Sequence, residues 1–150
     1  MKSKRFEPIH EIAENSAKDL SHAMVEAERR VVELEHQLEQ LRSYRETYLG
    51  KAAEAGTTMD PVRLQNTRVF MDRLAEAQRL HLQKLGAARA EYEAKRSLWS
   101  TKRIEAETLG RAVGRFRREE RHAADRREQR DGDEAALRIA GVAMGLRDSR

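Results

Sequence analysis

Five histidines and 26 carboxylates are the side chains of this 150-residue chain that could bind a metal or move a proton. Their spacing supports neither role. His10, His22, His36, His81 and His122 form no HExxH or comparable ligand pattern. The chain has no cysteine, which removes thiolate metal sites, disulfides and thiol nucleophiles. No phosphate loop, GxGxxG or GxSxG run occurs. The Asp and Glu residues are interleaved with 30 Lys and Arg as on solvated helix faces, where no cleft shelters a carboxyl group. The sequence therefore predicts a non-enzymatic protein with no catalytic residue, cofactor, metal or small-molecule substrate.

What remains is recognition, and the elements that would carry it are helices. Charged residues make up 37% of the chain and aromatics 5%, too few apolar groups for a thick globular core but enough for a narrow seam. Two segments supply that seam. The first reads Ala13, Ala17, Leu20, Met24, Ala27, Val31, Leu34, Leu38, Leu41, Arg45, Tyr48. The second reads Thr67, Met71, Leu74, Gln78, His81, Leu85, Ala88, Tyr92, Lys95, Trp99, Lys102, Ala106, Leu109, Val113, Phe116. Both step by alternating threes and fours, the spacing of a coiled coil. No apolar run reaches the roughly 18 residues of a membrane span, and the basic start at Met1 is followed by no apolar stretch of a secretory signal.

The break between the segments lies at Asp60-Pro61, with Gly56, Thr57 and Thr58 as the turn and Asp60 as N-cap. Pro8 and Pro61, the only prolines, suit the first turn of a helix. The spacing predicts helix one over about residues 9–54 and helix two over about 61–130, joined as an all-α, long antiparallel coiled-coil hairpin in one domain, 1–130. One register satisfies both seams: Tyr48 with Thr67, Leu41 with Leu74, Leu34 with His81, Val31 with Leu85, Ala27 with Ala88, Met24 with Tyr92, Ala17 with Trp99. Arg45, Gln78, Lys95 and Lys102 interrupt the seam, which costs stability and can fix register.

In that register helix one ends opposite Ala106. Beyond it, helix two overhangs, and Leu109, Val113 and Phe116 carry the seam onward with no partner inside the chain. That is a reason to expect a binding partner. Fraying or end-to-end association fits the same residues. Arg111, Arg115, Arg117, Arg118, Arg121, Arg126, Arg127 and Arg130 crowd this stretch, diluted by Glu119, Glu120, Asp125 and Glu128. The run fits an acidic protein, an anionic membrane, nucleic acid, or a solvated helix with i,i+4 pairs. Asp131-Gly132-Asp133 reads as a stop, which leaves 131–150 as a flexible tail with a possible short helix from Glu134 to about Leu146. Gly141 and Gly145 in it form a small-xxx-small pair.

A lateral patch stands out near the hairpin tip. Gln37 and Tyr44 occupy g positions of helix one, and Phe70 and Ala77 occupy g positions of helix two. In an antiparallel pair these lie on one side, so Tyr44 faces Phe70 and Gln37 faces Ala77. Leu41, Tyr48, Leu74 and His81 back them from the seam. Flanks usually carry Glu or Lys, so exposed aromatics rimmed by charge read as a protein-binding site. Rings folded over the seam to widen the core fit the same pattern.

The arrangement Gln37-x3-Leu41-x2-Tyr44-x3-Tyr48 followed by Phe70-x3-Leu74-x2-Ala77-x3-His81 resembles the flagellar export protein family FliJ. The likeness covers helix one, the turn and helix two, and more loosely Asp133-Glu134-Ala135. It implies a cytoplasmic rod of the flagellar type III export apparatus, peripheral on the cytoplasmic face of the inner membrane at the flagellar base and serving motility and chemotaxis. In that family the coiled coil looks like the central stalk of rotary ATPases, with one end in the export ATPase ring, and the resemblance makes Leu109, Val113, Phe116, Arg115 and Arg117 the candidates for entering that ring. The resemblance implies that Phe70, Leu74, Ala77 and His81 contact the cytoplasmic linker of the membrane export gate. Gln37, Leu41, Tyr44 and Tyr48 would support or share that surface, which also takes export chaperones. An ATPase regulator is a further implied partner. The rival reading is a basic coiled coil that binds nucleic acid or serves as a general adaptor through its arginine-rich overhang. The interleaved acids, and Phe116 as the only aromatic there, count against nucleic acid.

Overall fold

The structure, a computed structural model, describes residues 1–54 and 60–148. They form α1 (Lys2–Glu54) and α2 (Pro61–Asp148), with no strand, packed against each other as a helical hairpin. Asp60 caps α2: its carboxylate Oδ1 accepts the Arg63 backbone N–H at 2.7 Å, and its carbonyl accepts the first helical bond from Leu64 at 3.0 Å. Pro61 takes the first helical position, where its missing N–H costs nothing. The expected turn at Gly56, Thr57 and Thr58 lies outside the described residues. The chain packs as two units, Ser16–Lys102 and Met1–Asn15 with Arg103–Arg150.

In the unit Ser16–Lys102 the helices run antiparallel, with Tyr48 against Phe70, Gln37 against His81 and Glu35 against Arg89. Leu34, Leu38, Leu85 and Ala88 form the core, with Val31 packed on it, and Ala27 and Leu74 are also buried. All seven are seam positions. Two polar seam residues meet each other, Arg45 Nη1 donating to Gln78 Oε1 at 3.5 Å. The register, however, differs from the expected one by roughly one turn. Leu34 lies in the cluster with Leu85 and Ala88, and Gln37 rather than Leu34 bonds His81. The pattern itself permits this slip. Both seams repeat in threes and fours, so sliding one helix by a turn returns seam positions to seam positions. Side-chain fit then decides, and the observed register gives the His81 ring a hydrogen-bonding partner.

In the other unit α1 begins at Lys2, not near Ile9, and Pro8 lies inside it. Pro8 withholds one hydrogen bond from the Lys4 carbonyl, but Lys4 is exposed and water can replace it. The early start continues the seam by the same spacing through His10, Phe6 and Ser3. Phe6 packs on Phe116 with ring centroids 5.3 Å apart, and the Lys2 ammonium lies 5.7 Å from the Phe116 centroid. Ser3 donates to Glu120 from its backbone N–H at 3.1 Å and its hydroxyl at 2.6 Å. These bonds hold the Glu120 carboxyl below the usual carboxylate range. Arg117 Nε donates to Glu7 at 2.9 Å.

Leu109, Val113 and Phe116 are therefore not an unpartnered overhang. Val113 is 4% exposed, and the first turns of α1 lie over this stretch. The part of α2 that stands alone begins at Ala124, from which every described residue is exposed. Nor does Asp131-Gly132-Asp133 stop the helix, which runs on to Asp148. A glycine inside a helix costs about 1 kcal/mol but does not break it, and no described glycine adopts a positive φ.

Candidate functional site

The lateral patch forms within the unit Ser16–Lys102 because the g positions of both helices meet there. Phe70 sits between two tyrosines. Its centroid is 4.5 Å from Tyr48, tilted by 46°, and 5.9 Å from Tyr44, edge-on at 67°. Both are favourable aromatic geometries. Tyr48 and Phe70 are half-buried, whereas Tyr44 is 57% exposed. The cluster thus has a ring braced against the seam and a ring offered to solvent.

Toward the middle of the same unit, Leu74 is buried, and Leu41 and Ala77 are half-buried. His81 and Gln37, also half-buried, join at 2.9 Å between Nε2 and Oε1. An amide oxygen only accepts, so in this pairing the proton sits on His81 Nε2. The Gln37 amide nitrogen points at Glu33 Oε1, 3.5 Å away. All eight residues of the sequence pattern therefore lie along adjoining faces of one unit. The seam members fix the backbone, and Tyr44, Phe70, Gln37, Ala77 and His81 present side-chain surface. The expected facing of Tyr44 and Phe70 is present, while Gln37 spends its amide on His81 instead of simply covering Ala77.

A family profile described as Flagellar FliJ protein matches residues 1–145. The chain belongs to the FliJ family. No curated protein and no solved structure matches it. Membership makes the chain a component of the flagellar protein-export apparatus, a structural and not a known enzymatic family. No described helix is long and apolar enough to cross a membrane.

The second set of candidate residues in this FliJ-family chain divides in two. Leu109 and Phe116 are half-buried and Val113 is buried, so these face inward and hold α1 to α2. Arg115 and Arg117 are exposed, and Arg117 pairs with Glu7. Arg111, Arg115 and Arg118 line an open groove with Gly110 and Gly114 and make no ion pair among the described residues. A Cβ on Gly110 would lie 2.9 Å from His10 Nε2, so the glycine makes room for that ring, whereas Gly114 faces open space. Sequence reasoning missed Ser3, Phe6 and His10 as seam members. Their own three-and-four spacing was the available signal, masked by reading Pro8 as a helix start.

Proposed function

We propose that this FliJ-family chain is a stalk-like rod that links the export ATPase ring to the membrane export gate and also receives export chaperones. The observation that carries the reading is the Tyr44–Phe70–Tyr48 cluster. It leaves a large aromatic exposed at a flank where soluble coiled coils place charge, and it falls on the residues of the family pattern. The gate's cytoplasmic linker docks on Phe70, Ala77 and His81, with Tyr44 and Gln37 sharing the surface and Leu41, Tyr48 and Leu74 supporting it. Export chaperones use the same face, so gate and chaperone compete.

The ring-facing end is the unit that contains Met1–Asn15 and Arg103–Arg150. There Arg115, with neighbouring exposed arginines, meets acidic groups of the ring, while Leu109, Val113 and Phe116 act by packing that end. An ATPase regulator is a further partner, and the working location is the cytoplasmic face of the inner membrane at the flagellar base. Action is by docking, which biases ring assembly and gate state through differential contacts. The test is affinity of the full chain for the export ATPase and, separately, for the gate's cytoplasmic domain with its linker. Absence of both interactions removes the reading. Arg111, Arg115 and Arg118, which make no ion pair among the described residues, also suit nucleic acid. Binding to duplex DNA that weakens steeply with salt would favour that second reading.

A further inference from the structure

We propose that the exposed end of α2 pairs antiparallel with the same segment of a second copy of this chain. From Ala135 to Leu146 every residue except Arg138 is Ala, Gly, Val, Leu, Ile or Met. Leu137, Ile139, Val142 and Met144 are each at least 65% exposed. Soluble proteins rarely leave so continuous an apolar patch to water, and a solitary helix with three interior glycines, Gly132, Gly141 and Gly145, is marginal without a partner.

The charges bounding this run identify the occupant. Asp133, Leu137, Ala140, Met144 and Arg147 recur by fours and threes, so they share one stripe of the helix. The stripe is acidic at its start, basic at its end and apolar between. Two parallel copies would set Asp133 against Asp133 and Arg147 against Arg147. Two antiparallel copies set Asp133 against Arg147 at both ends and Leu137 against Met144 on either side of the centre. The two-fold axis then passes by Ala140, where Gly141 and Ala136 flank the stripe and let the backbones approach closely. One flank opposes Glu134 to Asp148, but Glu134 is already paired with Arg138 at 3.7 Å. An anionic membrane fits less well, because residues 124–148 carry five arginines against six carboxylates. The pairing segment lies in the unit proposed above to face the ring, but it uses Asp133 to Arg147 and not Leu109, Val113, Phe116 or Arg115, and its test on the chain alone needs neither gate nor ring.

The seam is shorter than a standard protein interface, so association is weak and is expected over roughly 10 µM to 1 mM. Sedimentation of the full chain across that range should show a monomer–dimer equilibrium. Asp133→Arg or Arg147→Asp alone should weaken it at least about tenfold, and the two combined in one chain should restore it. The chain has no native cysteine, so engineered thiols report orientation cleanly. Ala140→Cys should form disulfide-linked dimers on mild oxidation. Asp133→Cys should cross-link to Arg147→Cys and not to itself. Every variant lies in exposed helix, so melting of the paired region should stay unchanged. A chain that remains monomeric throughout, a self-linking Asp133→Cys, or dimers lost with Ile139→Asp but kept with Met144→Asp would each overturn the proposal. So would monomeric capture by vesicles of phosphatidylglycerol and phosphatidylethanolamine.

Discussion

Replacing Tyr44 by alanine separates binding from folding better than any other change in the lateral patch. Tyr44 is 57% exposed and touches one ring, Phe70, edge-on at 5.9 Å. Such a pair contributes about 0.5–1.5 kcal/mol, and exposure places this one at the low end. The loss should be below about 1 kcal/mol, a melting shift of roughly 2 °C for a chain of this size. Phe70 is half-buried and touches two rings, so Phe70→Ala forfeits both contacts and part of a buried surface, about 2 kcal/mol and roughly 4–8 °C. Leu74 is buried, and Leu74→Ala should cost about 2–5 kcal/mol. If the gate linker anchors on the aromatics, Tyr44→Ala and Phe70→Ala should each weaken its binding by about 2 kcal/mol, roughly thirtyfold. The assay is calorimetric or anisotropy titration of the linker, with thermal melting of each variant. Normal linker binding by Tyr44→Ala removes the patch from gate contact. A melting loss for Tyr44→Ala equal to that of Leu74→Ala means that the ring is part of the core.

Three further outcomes follow from the packing. Val113→Asp, at a 4%-exposed site, should release Met1–Asn15 from α2, seen as rapid amide exchange over residues 2–13; retained protection there refutes the pairing of these segments. Gly86→Ala meets open space and should stabilise by about 0.5–1 kcal/mol, whereas Gly110→Ala drives a methyl to 2.9 Å from His10 Nε2 and should gain less or lose; equal melting gains would contradict that close approach. The lowered Glu120 pKa means that its contribution is present above the ordinary carboxylate value and is lost as pH falls through the folded one. Protection of the first turn of α1 should therefore decline below about pH 4, and Glu120→Gln should flatten that decline; a pH-independent profile in the native chain argues against the Ser3 contact.

The hairpin and the aromatic patch were legible in the sequence because each rests on spacing alone. Asp60-Pro61 announced the start of α2, and the heptads announced two facing seams. Register was not legible for the same reason: a three-and-four repeat is nearly unchanged by a one-turn slide, and only contacts such as Gln37 with His81 select among the slides. The ends failed where single residues outweighed periodicity. Pro8 suggested a start and Gly132 a stop, yet Ser3, Phe6 and His10 keep the spacing on one side, and the helix tolerates one glycine on the other. Those two errors together turned Leu109, Val113 and Phe116 from packed residues into apparent docking residues.

No described side chain is sealed completely from water, since even Leu85 retains 3% exposure. Each layer of a two-helix seam touches only the layers before and after it, so its cooperativity is that of a zipper and not of a droplet. A layer can breathe open for the cost of its two boundaries, without melting distant turns. Weak layers such as Arg45 with Gln78 then become natural places for transient opening close to the aromatic patch. A partner that engages Tyr44 and Phe70 meets a surface able to loosen and reclose beneath it, and the free energy of that breathing sets how readily the contact forms and releases.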